Sequence, residues 1–202
     1  TLAVTLSLMA AGATASDDLQ LNGFMTTGYQ TASNDAGLYG ATEQSQIRSL
    51  SVFGVQGIYT INDNATATFQ LVSRGNDEAN DDWSTELEWG YLTYTTEQGT
   101  RLRAGKLRTP FFMFSDFLDV GYSQPWAIAP DSVYNQVPNS SMVGVDAMHH
   151  FNIAGERVKT KVFAGHSEDE LNVTQDPDDV STNELRNMVG GVVSWTNHEL
   201  TL

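Results

Sequence analysis

The chain contains no cysteine, and only ten of its 202 residues are Lys or Arg. The missing cysteine excludes disulfides, thiolate metal sites and cysteine nucleophiles. Asp and Glu number 25, so the formal net charge is −15, and clustered basic charge for binding nucleic-acid phosphates is lacking. No stretch reaches the roughly 20 apolar residues that a membrane-spanning helix needs. Nucleic-acid binding, helical membrane spans and cysteine chemistry are therefore excluded from the expected functions.

Proline is also scarce, and four of the five proline residues lie between positions 110 and 138. A basic strand-like stretch, Arg101 to Arg108, leads into this segment, which is rich in Phe, Tyr and Trp. A loop of such length in a compact fold is either disordered or functional. Because disordered segments are poor in large apolar groups, we expect residues 109–138 to pack against the inside wall of a barrel.

The first fifteen residues read as a secretory signal peptide, truncated at its start. An apolar core is followed by Ala13-Thr14-Ala15, an A-x-A cleavage pattern, which predicts a mature chain beginning at Ser16. We expect residues 16–202 to form the N-terminal part of a single β-barrel domain. The chain is then a fragment that lacks a little at its start and about half of the protein at its end.

From Leu19 onwards, apolar and polar residues alternate. Strict alternation is typical of strands with one apolar and one polar face. Eight strands are predicted, followed by a truncated ninth: 19–30, 46–61, 65–74, 84–95, 101–108, 142–151, 157–165 and 185–195. His149 is the one residue that does not fit this pattern, because it falls on an apolar face.

The connections between these strands alternate between long and short. The short ones are 62–64, 96–100, 152–156 and 196–199, and the long ones are 31–45, 75–83, 109–141 and 166–184. Outer-membrane barrels place all long loops at one end and tight turns at the other. Four aromatic residues precede the short turns and predict a belt at a membrane interface: Tyr59, Tyr94, Phe151 and Trp195. Aromatic enrichment of strands in general is the alternative explanation.

The run Ala104 to Phe111, AGKLRTPF, is similar to the Gly-Arg/Lys-x-x-x-Pro-Phe ending of the strand before the constriction loop of Gram-negative outer-membrane porins. The order of five strands followed by the longest loop resembles those porins too. The resemblance implies an antiparallel transmembrane β-barrel of about sixteen strands. It also implies a homotrimer in the outer membrane, in contact with lipid and lipopolysaccharide.

A porin-like constriction needs basic groups on the wall and acidic groups on the inserted loop, because opposed charges set ion preference. The candidate wall bases are Arg48, Arg74, Arg103, Lys106, Arg108, Lys159 and Lys161, and the candidate loop acids are Asp116 and Asp119. Parity in strand 101–108 is ambiguous, since Arg103 and Arg108 fall on opposite faces. A bulge near Gly105 is expected to resolve this, because bulges re-aim side chains and often use glycine.

The remaining polar features favour no enzyme. The four histidines lack metal-ligand spacing, no metal or cofactor is expected, and adjacent His166 and Ser167 point to opposite faces of a strand. Acidic residues concentrate in two predicted loops, where a solvated surface is favoured over divalent-cation binding. We therefore expect a porin for passive diffusion of small hydrophilic solutes and ions. The alternatives are a substrate-selective channel for anions such as phosphate or dicarboxylates, and a secreted β-sandwich binding module or adhesin with Ca²⁺-binding acidic loops.

Overall fold

The computed structural model describes residues 2–14, 17–31, 47, 51–77, 82–111, 141–153, 155–172 and 180–196. In these residues the chain forms one antiparallel sheet in which each strand pairs with the next along the chain. The strands are β1 (Leu2–Thr14), β2 (Leu19–Thr31), β3 (Val52–Asn62), β4 (Ala65–Asp77), β5 (Asp82–Thr95), β6 (Arg101–Arg108), β7 (Ser141–Ile153), β8 (Glu156–Asn172) and β9 (Val180–Thr196). The predicted all-β, antiparallel class is confirmed.

Three short turns lie where the sequence predicts them. In the first, the backbone N–H of Asn64 donates to Asn62 Oδ1 at 3.0 Å, which is the local hydrogen bonding that favours Asn in turns. The other two contain Gly99 and Gly155, with φ of 78° and 87°. Glycine adopts these left-handed values at no steric cost, so both strands can reverse within a few residues.

Two of the predicted long loops are shorter than the sequence indicates. Residues 166–184 were expected to form a loop, but β8 continues to Asn172 and pairs with β9 from Val180. Likewise β4 and β5 extend into residues 75–83, where Asp77 pairs with Asp82. The backbone ladder needs no apolar side chains, so two strands can stay paired beyond the point where the alternating pattern ends. Of the acidic loop residues, five lie outside the described residues: Glu78, Asp81, Asp176, Asp178 and Asp179.

The first strand covers the segment that the sequence identifies as a signal peptide. β1 pairs with β2 from Leu2↔Thr31 to Thr14↔Gln20, with a register shift between Ala10 and Ala13. Cleavage before Ser16 is a processing event that the fold does not test, so it stays a prediction. If it occurs, β2 loses this neighbour.

Strands β2 to β9 give the sheet two chemically different sides. We call the side that carries Phe53, Tyr94 and Val162 the apolar face. Its large side chains are exposed, and among them are Val55, Tyr59, Ile61, Phe69, Leu71, Leu92, Leu102, Val143, Val145, Phe151, Ile153, Val189, Val193 and Trp195. Cross-strand register puts a different set on the opposite, polar face, including Gln56, Thr68, Gln70, Arg74, Tyr91, Arg103, Asp146 and Lys161. Fully buried apolar side chains are few in the described residues: Val72, Leu107 and Met142.

A bulge in β5 shapes the polar face. Gln70 pairs with Trp89 and Leu71 pairs with Leu87, so Glu88 is an extra residue with no partner of its own in β4. An inserted residue shifts the alternation of its strand by one position. Leu87 and Leu92, five positions apart, therefore both lie on the apolar face, while the carboxylate of Glu88 is directed to the polar one.

The predicted bulge near Gly105 is wrong. β6 pairs with β5 and with β7 without any register shift through Gly105. Instead, Gly105 has φ of 139°, and a Cβ added to it would lie 2.4 Å from the carbonyl oxygen of Gly90. The backbones approach too closely for any other residue, but side-chain parity continues through Gly105 because the register is unbroken. Arg103 pairs with Asp146 and Arg108 with Glu88, although the two arginines are an odd number of positions apart.

His149 has partners that explain its place on the apolar side. Its Nδ1 lies 2.8 Å from the hydroxyl of Thr100, across the short turn before β6. Its ring packs against Phe151, with 4.4 Å between the ring centroids. The polar edge of the imidazole is thereby satisfied while its ring joins the aromatic residues next to the turns.

Candidate functional site

The first ion cluster on the polar face centres on Glu88. Its side chain is 4% exposed and accepts a hydrogen bond from Arg74 Nη2 at 2.6 Å, and it also forms an ion pair with Arg108. The three side chains come from β4, β5 and β6, and the bulge in β5 is what directs the carboxylate between the two guanidinium groups. A buried carboxylate needs such partners, and this cluster lies at the end of β6, immediately before residue 109.

A second ion cluster centres on Asp146, whose side chain is fully buried. Arg103 donates from Nε to Oδ1 at 2.9 Å and from Nη2 to Oδ2 at 2.5 Å, a bidentate arrangement that is among the strongest in proteins. Lys161 Nζ lies 3.5 Å from Oδ2. The guanidinium carbon of Arg103 also lies 5.0 Å from the centre of the Tyr91 ring, in range for a cation–π contact.

Two hydrogen-bond donors next to the Glu88 cluster have no acceptor. Gln70, which is 1% exposed, and Trp89 pair in register, and both Gln70 Nε2 and Trp89 Nε1 are buried without a protein partner. Unsatisfied buried donors are costly, so a water molecule or a polar solute atom is the expected acceptor at this position.

The structure brings four of the seven predicted wall bases into these clusters: Arg74, Arg103, Arg108 and Lys161. Lys106 is half-buried and pairs in register with Gly90 and Val143. Lys159 is nearer the short turn at Gly155, opposite His150. Arg48 and both loop acids, Asp116 and Asp119, lie outside the described residues, so their part in a constriction stays a prediction.

Sequence reasoning missed both acidic partners of these bases. Asp146 falls on the polar side of the alternating pattern, but only the register shows that it pairs directly with Arg103 of the neighbouring strand β6. Glu88 carried a usable signal: Leu87 and Leu92 are apolar at an odd spacing, which indicates an inserted residue between them. The counter-charges of four predicted wall bases therefore lie on the sheet itself.

The four predicted belt residues all lie on the apolar face and are about half exposed: Tyr59 at 47%, Tyr94 at 50%, Phe151 at 44% and Trp195 at 49%. Tyr59, Tyr94 and Phe151 stand close to the end of a strand that enters a short turn, and Trp195 is one residue before the end of β9. Phe151 and Trp195 are both paired with Val158, so their rings lie at the same level of the sheet.

A hollow of about 670 Å³ lies on the apolar face, and its lining reaches Arg103 and Asp146 of the second ion cluster. Small side chains form its floor, among them Ala104, Ala147 and Ala164, and larger apolar ones such as Leu92 and Val189 rim it. Its lining offers almost no polar atoms to a solute, so the chemistry of the molecule is concentrated on the opposite face.

Beyond the apolar part of β9, Arg186 donates to both carboxylate oxygens of Glu184, at 2.5 and 2.6 Å. This hydrogen bonding lowers the pKa of the Glu184 carboxyl. Both side chains are exposed, so the pair contributes surface charge and little stability.

His166 and Ser167 do not form a nucleophile–base pair. His166 is exposed and registers with Val143 of the apolar face. The hydroxyl of Ser167 is buried and donates to the carbonyl oxygen of Ser141 at 2.5 Å. In the described ranges, no three His, Asp or Glu side chains are grouped so that they could hold a metal ion.

Comparison with known proteins gives no relative: no family model, no curated protein and no solved structure matches this chain. Within the described part of the chain, no helix has the length and apolar character to cross a membrane. Function is therefore inferred from the sheet and its two faces.

Proposed function

We propose that this chain forms part of the wall of an outer-membrane porin, a β-barrel that lets small hydrophilic solutes and ions diffuse through a water-filled channel. The observation that carries the proposal is the exposed apolar face of an antiparallel sheet whose other face holds ion clusters. Soluble monomers rarely expose contiguous apolar patches of more than a few hundred Å². In a bilayer such a face is instead the stable arrangement, with lipid against it and water on the polar side.

The height of the apolar face supports this environment. On β7 its apolar residues run from Val143 to Ile153, ten residue steps, which at about 3.3 Å per residue span roughly 33 Å along the strand. With a strand tilt of about 40°, the height is roughly 25 Å, which is the apolar band height typical of outer-membrane barrels. The half-exposed aromatic rings near the short turns are where an interfacial belt is expected.

The polar face supports passage of water and ions. A basic side chain directed to lipid at mid-depth costs about 2–4 kcal/mol, which makes the polar face the favourable place for Arg74, Arg103 and Lys161. Their pairing with Glu88 and Asp146 leaves this stretch of wall mixed in charge rather than strongly basic. A mixed wall favours a general diffusion channel over a strongly anion-selective one. From the resemblance to porins we further propose that the protein is a trimer in contact with lipopolysaccharide. Residues 109–138 would then form the constriction loop.

The β-sandwich adhesin is the alternative from another class. It requires a second sheet packed on Phe53, Val145 and Val162, and all strands of the described residues belong to a single sheet. A binding module would also fold in water without lipid.

Planar-bilayer recording of the full-length protein tests the proposal. We expect stepwise conductance increases after insertion, together with heat-modifiable migration on gels, since barrels of this class stay folded in detergent until heated. A protein that folds in buffer without detergent and never produces conductance steps would contradict the porin and favour the sandwich.

A further inference from the structure

One group of basic side chains takes no part in either ion cluster. Arg101, His150, Arg157 and Lys159 lie on β6, β7 and β8, next to the short turns at 96–100 and 152–156; we call them the turn-end basic cluster. Register places all four on the polar face. His150 is directly opposite Lys159, and Arg101 pairs with Met148, two positions from His150 on the same face.

The side chains of this cluster are close together and open to solvent. Directly opposed residues in an antiparallel pair have Cβ atoms about 4.5–5.5 Å apart, which brings His150 and Lys159 within reach of a common ligand. Arg101, His150 and Arg157 are exposed, and Lys159 is half-buried. The basic groups that act on the His150 imidazole are Arg101, Lys159 and Arg157.

The cluster differs from the rest of the wall because no acid compensates it in the described residues. Glu88 and Asp146 are engaged with other bases, and neither Arg101, Arg157 nor Lys159 forms an ion pair with any described residue. Like charges held this close repel each other. They form a locally positive patch on a chain whose net charge is −15. Ser194, paired with Lys159, adds a hydroxyl on the same face.

We infer that the turn-end basic cluster is a binding site for small oxyanions, of the size and charge of inorganic phosphate. Two guanidinium groups and an ammonium supply charge-assisted hydrogen bonds to tetrahedral or planar oxyanions. The inference rests on the proposed function, because the channel would supply the ligand. The ligand is then a solute in the water on the polar face and not a lipid headgroup. The site then concentrates anions at the short-turn mouth before they meet the charge-paired wall.

The test uses the full-length protein folded in a detergent that contains no phospholipid. Inorganic phosphate is titrated while the imidazole signals of His150 are followed by NMR, and the same protein is recorded in planar bilayers with phosphate added to either side. The variants are R157Q and K159Q, which remove one charge each at exposed or half-exposed positions. The matched control is R186Q, which removes an exposed arginine of β9 outside the cluster. Gel mobility before and after heating verifies that each variant folds.

We expect saturable, phosphate-dependent shifts of the His150 signals, weakened about tenfold in R157Q and K159Q and unchanged in R186Q. Loss of one charged hydrogen-bond partner typically has an effect of this size. Absence of a saturable shift in a folded, conducting protein would overturn the oxyanion site and leave the channel standing. An equal loss in R186Q would overturn it as well, because general charge would then explain the binding. Phosphate binding by a folded protein without conductance would uphold the site and refute the proposed channel.

Discussion

The stabilities of two arginine variants, V162R and I153R, would distinguish an apolar face that contacts lipid from one that contacts water. The two side chains lie on the apolar face and are equally exposed, at 59% and 58%. Exposed positions in water tolerate substitution within about 0.5 kcal/mol, so the two variants should then be alike. In a bilayer the two positions lie at different depths, and the free-energy cost of placing arginine there depends on depth.

The depth difference follows from the sheet register. Val162 pairs with Ala147, which is six positions from Ile153 on β7. Six residues at about 3.3 Å span roughly 20 Å along the strand, and a tilt of about 40° reduces this to roughly 15 Å of depth, half the hydrocarbon thickness. Arginine costs about 2–4 kcal/mol at the midplane and about 0–1 kcal/mol near an interface. We therefore expect V162R to be about 2–3 kcal/mol less stable than I153R.

The assay is reversible urea unfolding of the full-length protein in lipid vesicles, followed by tryptophan fluorescence. The wild type and V162L, which keeps the position apolar, are the references. Equal unfolding free energies for V162R and I153R, within about 0.5 kcal/mol, would refute the lipid-facing assignment. So would a V162R penalty that persists in a protein folded in buffer without lipid, because a second sheet would then cover the apolar face.

Three further outcomes follow from the contacts on the polar face and from the backbone. E88Q should lower the free energy of unfolding by about 3–5 kcal/mol, because it leaves the buried guanidinium group of Arg108 and the partly exposed one of Arg74 without their carboxylate. Urea titration of the vesicle-inserted protein measures this, and a change below about 1 kcal/mol would contradict it. D146N should shift the reversal potential in a salt gradient toward greater anion selectivity, since Arg103 and Lys161 lose their counter-charge. E184Q, which removes the same charge at an exposed position, should leave the reversal potential nearly unchanged. G105A should destabilise the protein by at least about 1–3 kcal/mol, through backbone strain and contact with the backbone of β5. G191A, whose added Cβ meets nothing closer than 3.5 Å, should change stability by less than about 0.5 kcal/mol. Similar urea-unfolding midpoints for the two alanine variants would rule out the close approach at Gly105.

Much of the architecture is determined by the sequence alone. Alternation of period two specifies the strands and their two faces, because a strand that separates lipid or core from water must repeat every second residue. Asn62 to Asn64, Gly99 and Gly155 specify the short turns through local backbone chemistry, which needs no distant contact. The aromatic residues before those turns were placed correctly on the apolar face for the same reason.

Only the tertiary structure decided the remaining features, because they depend on which residues become neighbours across strands. Register brings Arg103 and Lys161 to Asp146, and Arg74 and Arg108 to Glu88, from positions 14 to 43 residues apart in the chain. The bulge at Glu88 and the close approach of Gly105 to β5 depend on which strands pair, and the sequence signals only the bulge, as broken alternation. The length of β8 and β9 was likewise set by a backbone ladder that continues where side-chain patterning stops.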